Sequence, residues 1–230
     1  MGTFYRFGIR GNEFLKQNTI GYYSINFLSY AQSGHLSFLH ILKNNKLDVA
    51  ENNLIEAKNK AMEHIVTFFV DYDKQYGSEI SEQILVCRIP RSKTFFKESQ
   101  LYFQKAISEA IKLANHSLND KLLDGVDCIE RIKDVATTHL VNSEYAQIAL
   151  PQLCSGDKPY PGITKDSCDI SDKVINQTIL LIDDIYTLGA NVVEDCIQSL
   201  YDKGAKKVIF YAVGRTEKWH NLQSIMIGDL

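Results

Sequence analysis

The sequence lacks the features that would place it in several special classes of protein. It has no run of about 18 apolar residues, so no membrane-spanning helix is expected. It has no lysine or arginine tract and a net charge of -3, so no broad nucleic-acid surface is expected. The cysteines are odd in number and show no Cys-x-x-Cys spacing, which argues against a disulfide framework and a zinc site. We expect buried free thiols at Cys87, Cys128, Cys154, Cys168 and Cys196.

The remaining composition is that of an ordinary globular protein. A length of 230 residues suggests one domain, or one domain with an elaboration, and a hydrophobic fraction of 45% is typical. The N-terminus, MGTFYRFGIRGNEFLK, has no apolar core of signal-peptide length. Arg6 also stands where a myristoylation pattern requires serine or threonine. We therefore expect a cytoplasmic protein that does not attach to a membrane.

Helical and extended patterns alternate along the chain. Apolar residues at helical spacing predict helices over 48–70, 98–115 and 190–203, the last ending at Gly204. Short apolar runs predict strands over 83–89, 178–183 and 206–213, and the aromatic-rich residues 1–30 contain two extended stretches. This alternation predicts an α/β domain with a mostly parallel sheet flanked by helices.

Proline is rare and unevenly distributed. Three of the four prolines, Pro151, Pro159 and Pro161, stand close together. We predict a long loop over residues 151–176, and loops of this length inside compact domains are usually functional or disordered.

Two adjacent aspartates, Asp183 and Asp184, follow the apolar residues of the predicted strand 178–183. In an open parallel sheet, ligands bind beyond the carboxyl ends of the strands, and we expect the pair at such an end. The next loop, IYTLGAN, contains Gly189 and leads into a predicted helix, whose N-terminus favours an anion. Two acceptors beside an anion site suit a ligand with vicinal hydroxyls and a phosphate, such as ribose 5-phosphate.

Other interpretations of the acidic pair remain open. A P-loop NTPase also has an acidic strand end, but it requires an upstream GxxxxGK[ST] loop that this sequence lacks. A phosphoacceptor receiver domain carries its first acidic pair near the domain start, whereas here only about 45 residues follow. The plainest alternative is a solvated acidic turn.

The stretch TILLIDDIYTLGAN resembles the phosphoribosyl pyrophosphate (PRPP) signature of type I phosphoribosyltransferases. In that family, four hydrophobic residues precede two acidic residues and a Thr-Thr-Gly-x-Thr-like loop. The tyrosine in DDIYT and the downstream GAKKVIFYAVGRT are most similar to the ComF-like branch. The likeness covers residues 35–216, which would form a phosphoribosyltransferase-like domain. Residues 1–34 would form an N-terminal elaboration or hood, and residues 217–230 a C-terminal tail.

The resemblance implies roles for the matching residues of the signature. Asp183 and Asp184 would be the catalytic residues and would hold the ribose 2′- and 3′-hydroxyls, directly or through the water shell of a Mg²⁺ ion. The 5-phosphate would be bound by the loop residues Thr187, Leu188, Gly189, Ala190 and Asn191.

Two further segments occupy the places of family loops. CRIPRSK stands where the family has its pyrophosphate loop and offers Arg88, Arg91 and Lys93, for which a solvated basic turn is the alternative. The proline-rich stretch stands where the family has a mobile loop, with Lys158 and Lys165 as candidate cations or ordinary surface lysines.

The expected function is transfer of a phosphoribosyl group from PRPP to a nitrogen nucleophile with release of pyrophosphate. The resemblance favours an enzyme of the pentosyltransferase class with Mg²⁺ as cofactor, and it is compatible with a homodimer. The sequence departs from the family at Leu188 and Asn191, where hydroxyl residues are usual, and it lacks the ComF-like cysteine set. Two alternatives therefore stand: a non-catalytic module that senses PRPP or a nucleotide, and an interaction protein built on the same scaffold.

Overall fold

The computed structural model describes residues 4–28, 37–43, 49–77, 82–135, 163 and 167–216. The strands are β1 (Tyr5–Ile9), β2 (Thr19–Phe27), β3 (Ile84–Arg88), β4 (Leu122–Asp124), β5 (Ile129–Arg131), β6 (Cys168–Ile170), β7 (Thr178–Tyr186) and β8 (Lys207–Thr216). The α-helices are α1 (Phe38–Lys43), α2 (Glu51–Tyr76), α3 (Tyr102–Leu118) and α4 (Val192–Lys203), with short 3-10 helices at Glu98–Gln100 and Asp172–Val174.

Six strands form one sheet in the order β1-β2-β8-β7-β3-β4. All neighbouring strands in it are parallel except β1 and β2, which are antiparallel. Strands β5 and β6 form a separate antiparallel pair. The prediction of an α/β fold with a mostly parallel sheet flanked by helices is therefore confirmed.

Strands β1 and β2 form one edge of this sheet. Strand β2 pairs in parallel with β8, and Gly21 stands opposite Phe210 in that register. A Cβ atom on Gly21 would lie 2.6 Å from the Phe7 ring, so glycine is needed where that ring crosses the strand. The β1–β2 hairpin is thus held against the sheet by close packing as well as by backbone hydrogen bonds.

Helices cover both faces of the sheet, as a sheet with two apolar faces requires. Helices α2 and α3 pack on one face, where the ring of Phe68 stacks on Tyr211 with centroids 4.0 Å apart. Helix α4 packs on the other face through Ile197 and Leu200, both fully buried. Burial of each such side chain contributes about 1.5–3 kcal/mol relative to exposure.

Some predicted boundaries differ from those observed. The helix predicted over 48–70 continues to Tyr76, and the strand predicted over 178–183 continues to Tyr186. The loop predicted over 151–176 is wrong in its last part, which contains β6 and a 3-10 helix. Helix α4 ends as predicted, because Gly204 adopts a left-handed conformation with φ of 105°.

The cysteines were expected to be buried free thiols. Cys87, Cys128, Cys168 and Cys196 are buried and free, as expected, whereas Cys154 lies outside the described residues. Within the described ranges, no helix has the length and hydropathy needed to cross a bilayer.

Candidate functional site

Asp183 and Asp184 line the same pocket although they are neighbours in β7. Successive residues of a regular strand point to opposite faces of the sheet. Here the alternation is broken, because Ile182 and Ile185 both belong to the core cluster on the α2 and α3 side of the sheet, although they are three positions apart. The backbone N–H of Asp184 also donates to the Asp183 carboxylate at 2.8 Å. This irregularity brings two neighbouring carboxylates to one site.

The acidic pair lies where β3 ends and β8 continues. Arg88, the last residue of β3, is opposite Ile182, so the pair lies just beyond the end of that strand. On the other side, Asp183 stands opposite Ala212, and the pairing with β8 continues to Tyr186. The pair was expected at a strand end. It lies beyond the end of β3, but β7 and β8 both continue past it.

The electrostatics of the pair are those of two carboxylates held together. Burial and repulsion by Asp184 raise the pKa of Asp183 to about 8. The ammonium group of Lys43 lies 3.8 Å from a carboxylate oxygen of Asp184 and opposes that shift. The neighbourhood of Asp183 therefore favours its protonated form, and a cation bound by the pair would favour the ionised form.

Two of the three predicted pyrophosphate-loop cations lie beside the pair. Arg88 and Arg91 line the same pocket as the two aspartates. Burial lowers the pKa of both guanidinium groups, although arginine remains charged at physiological pH. Within the described part of the chain, the buried Nε of Arg88 has no hydrogen-bond partner. A buried donor of this kind usually has a partner, and an anion that reached it could serve as one.

Arg91 also connects the pocket to α1. Its guanidinium donates to the carbonyl oxygens of Leu42 at 2.8 Å and Lys43 at 3.2 Å. These are among the last carbonyls of that helix, which lack partners inside the helix. Arg91 therefore positions the chain segment that carries Lys43.

The third predicted cation of the pyrophosphate loop, Lys93, is not among the described residues that line the pocket. Its Nζ atom lies 3.9 Å from a carboxylate oxygen of Asp134. Lys158 and Lys165 lie outside the described residues.

The predicted 5-phosphate loop is a tight turn between β7 and α4. The backbone N–H of Ala190 donates to the carbonyl of Thr187 at 3.1 Å. Gly189 has a φ of 86°, a conformation that favours glycine. The side chain of Leu188 is 48% exposed, and Asn191 forms the N-cap residue of α4. The turn thus leads directly into a helix N-terminus, which favours an anion.

Several residues around the turn were not predicted from the sequence. Thr216 Oγ1 lies 2.8 Å from Thr187 Oγ1 and donates to the Tyr186 carbonyl at 2.9 Å. Asn12 donates to the side chain of Asn191 at 3.1 Å, so the segment between β1 and β2 contacts the turn. The Thr216 contact follows from the β7–β8 register, and the Asn12 contact joins residues 179 positions apart. No local sequence pattern signals either contact.

The pocket between β3, β7 and the start of α3 is small. Its volume is about 50 Å³, and its lining also includes Leu101, Phe103 and Gln104 at the N-terminus of α3. Ligand pockets usually measure about 300–1,000 Å³. A ligand as large as PRPP would place one group in this pocket and extend outside it, unless the surrounding residues move.

The acidic pair fits a magnesium ion shared with a ligand. Among the described residues, no group of three or more His, Cys, Asp or Glu side chains could hold a metal alone. Magnesium is usually bound by one or two carboxylates together with substrate phosphates and water. The raised pKa of Asp183 indicates an excess of acidic charge that such a cation would relieve.

Comparisons with known proteins give low similarities. No family model matches the chain, and no curated protein matches it in sequence. The chain is similar to a hypoxanthine-guanine phosphoribosyltransferase from Schistosoma mansoni in complex with IMP, at 10% identity over 70% of this chain and 68% of that chain, with a TM-score of 0.39. A hypoxanthine phosphoribosyltransferase from Trypanosoma cruzi shows 8% identity over 70% and 76%, with a TM-score of 0.35. One from Staphylococcus aureus shows 12% identity over 71% and 76%, with a TM-score of 0.34.

Proposed function

We propose that this chain is a type I phosphoribosyltransferase, similar to the ComF-like branch, which binds PRPP with Mg²⁺ and transfers the phosphoribosyl group to a nitrogen nucleophile. The observation that carries the proposal is the shared pocket: Asp183 and Asp184 stand beside Arg88 and Arg91, at the β3 strand end. Acidic acceptors next to buried arginines suit a sugar that carries a pyrophosphate. The turn from Thr187 to Asn191 supplies the second anion site, for the 5-phosphate.

In the proposed reaction, the bond between C1 of the ribose and the pyrophosphate oxygen breaks while a bond from nitrogen to C1 forms. The nitrogen loses its proton to solvent or to a nearby base. Arg88 and Arg91 would neutralise the leaving pyrophosphate, and the aspartates would hold the ribose hydroxyls. Mg²⁺, held by Asp183 and Asp184, would supply further charge neutralisation at the leaving group. Positioning and electrostatics would then provide most of the rate enhancement, without a side-chain nucleophile.

A second candidate function is a sensor that binds PRPP or a nucleotide without turnover. The exposed Leu188 favours it, because leucine offers no hydrogen bond to a phosphate. The first turn of α4 also carries Glu194 and Asp195, two buried carboxylates that reduce the positive potential at the helix N-terminus. Their oxygens accept from Tyr186 and from the backbone of Ile163, so they are held by structural contacts.

A pyrophosphate-release assay separates the two functions. The full chain would be incubated with PRPP, Mg²⁺ and a panel of purine bases, pyrimidine bases and amines. The enzyme predicts release that depends on one acceptor class and falls at least about tenfold in Asp184→Asn. Asp169→Asn, an exposed carboxylate on β6, is the matched control. Binding of PRPP without release above background for any acceptor would support the sensor and contradict the enzyme.

A further inference from the structure

A larger cavity lies at the opposite end of the sheet from the acidic pair. It is lined by the first residues of β2 and β8, including Thr19 and Lys207. Ala212, the partner of Asp183, stands five positions after Lys207 on β8, which corresponds to about 17 Å along the strand. The cavity measures about 430 Å³, which lies within the usual range of about 300–1,000 Å³ for ligand pockets. It is therefore separate from the proposed catalytic pocket.

The charge of this cavity is positive. Arg6 and Lys207 line it, and no acidic side chain of the described residues does so. Neither cation forms a salt bridge within the described part of the chain. The neighbouring Glu82 pairs with Lys206 at 2.8 Å and also interacts electrostatically with Lys207, but it does not line the cavity. Two cations without a facing carboxylate favour an anionic ligand.

Tyrosine rings form one wall of the cavity. Tyr22 and Tyr72 meet edge to face with centroids 5.4 Å apart, and Tyr72 and Tyr76 lie 5.0 Å apart. Burial raises the pKa of Tyr22, and its hydroxyl shares a hydrogen bond with Tyr76. Tyr22 and Tyr72 are largely buried, so the partly exposed rings of Tyr76 and Tyr201 supply the accessible aromatic surface of the cavity. Aromatic surface that carries hydroxyl groups suits a planar ring with polar edges.

Polar groups also line the cavity. Gln17 and Asn18 contribute amide side chains, and Tyr201 contributes a fourth tyrosine. Asn18 is held in place because its side-chain oxygen accepts from the backbone N–H of Gly11 at 2.9 Å. Amide groups can donate to and accept from the edge of a heterocycle.

We propose that this cavity binds a small anion that carries both a phosphate group and a planar heterocycle, with a nucleoside monophosphate as the type of ligand. Arg6 and Lys207 bind the phosphate, and the tyrosine wall contacts the ring. The site goes beyond the proposed transferase activity and does not depend on it.

The test is titration calorimetry of the full chain with AMP in the absence of magnesium. The Asp183→Asn/Asp184→Asn variant alters the proposed catalytic pocket and leaves the cavity intact. The Arg6→Gln/Lys207→Gln variant removes both cations from the cavity. Arg10→Gln is the matched control, since Arg10 is also exposed near the end of β1 but does not line the cavity. Circular dichroism and thermal unfolding establish that each variant is folded, and Lys207→Gln alone replaces the double variant if that one unfolds.

We expect AMP to bind the Asp183→Asn/Asp184→Asn and Arg10→Gln variants as it binds the parent. Binding should weaken at least about tenfold in Arg6→Gln/Lys207→Gln, because hydrogen bonds to charged groups are lost. AMP should also bind more tightly than inorganic phosphate or adenosine. Equal binding by the Arg6→Gln/Lys207→Gln variant, or no binding by the Asp183→Asn/Asp184→Asn variant, would overturn the proposal. Phosphate that binds as tightly as AMP would overturn the role of the tyrosine wall.

Discussion

The ammonium group of Lys43 lies 3.8 Å from a carboxylate oxygen of Asp184. The backbone carbonyl of Lys43 also accepts a hydrogen bond from Arg91, which lines the pocket with Asp184. Helix α1 is therefore connected to the acidic pair by two cations, one of its own and one from the loop after β3. These cations and the raised pKa of Asp183 both reduce the repulsion between the adjacent carboxylates. The first two predictions concern Asp183 and Arg91.

The first prediction concerns pH and Asp183. The folded protein raises the pKa of this carboxyl from 3.8, the ordinary value for aspartate, to about 8. Because the folded state holds this proton more tightly than the unfolded state, the group's contribution to stability is fully present at a pH below its unfolded-state pKa. That contribution is lost as the pH rises through its folded-state pKa. Asp183→Asn should therefore be more stable than the parent at pH 8, by about 1 kcal/mol or more, and nearly equal to it at pH 4. Urea unfolding at both pH values measures this difference.

The control for that prediction is Asp169→Asn, at an exposed position on β6. It should show the same stability difference from the parent at both pH values. If Asp183→Asn behaves in the same way, Asp183 is ionised in the folded protein and its raised pKa is contradicted.

The second prediction concerns Arg91→Lys. Arginine presents a planar fork that reaches two carbonyls, whereas lysine is a flexible point charge. Loss of the bonds to Leu42 and Lys43 should lower the free energy of unfolding by about 1–3 kcal/mol. Arg10→Lys, at an exposed position, should change it by less than about 0.5 kcal/mol. Equal effects of the two variants in urea unfolding would show that Arg91 does not hold α1.

A third prediction concerns Leu188→Thr in the turn after β7. A threonine hydroxyl should add one donor for the 5-phosphate and tighten binding by about 1 kcal/mol, or roughly fivefold. The packing cost should be small because the leucine side chain is 48% exposed. Calorimetry with PRPP and with ribose 5-phosphate, at constant Mg²⁺, should show the same gain for both ligands. Weaker or unchanged binding at unchanged stability would mean that this side chain does not face a phosphate.

The fourth prediction compares two glycines with positive φ. Gly189 has a φ of 86° in the turn, and Gly204 has a φ of 105° at the end of α4. Alanine at either position should cost about 1–2 kcal/mol of stability, because a Cβ disfavours this conformation. Among the described residues other than its two chain neighbours, none has an atom within 4 Å of a Cβ built at Gly189, so the cost there is conformational. Only Gly189→Ala should also weaken PRPP binding, and an equal loss in Gly204→Ala would place the phosphate elsewhere.

The sequence predicted those parts of the fold that depend on local pattern. Strand β3 is a continuous apolar run, and α4 ends at a glycine, so both were recognised correctly. The acidic pair and the turn with Gly189 were also recognised, because their residue types are unusual together. The predicted end of β7 was early, since Ile185 and Tyr186 remain in the strand through pairing with β8, a neighbour that the local sequence does not reveal.

The parts that sequence reasoning missed depend on contacts between distant segments. Lys43 lies in a helix about 140 positions before Asp184, and its role follows only from the packing of α1 against the sheet. Gly214 is a similar case: a Cβ there would lie 2.7 Å from Leu39, so glycine permits α1 to approach the strands. Side-chain composition alone gives no indication of either relationship.

Binding of PRPP with Mg²⁺ tests the central claim most directly, and it can be measured as the shift in unfolding free energy of the parent and of Asp183→Asn/Asp184→Asn. A ligand at 100 times its dissociation constant adds about 2.7 kcal/mol to the stability of the protein that binds it. The account predicts a gain of this order for the parent, which requires both PRPP and Mg²⁺, and a much smaller gain for the double variant. No stabilisation of the parent at millimolar PRPP and Mg²⁺, or equal stabilisation of both proteins, would contradict it.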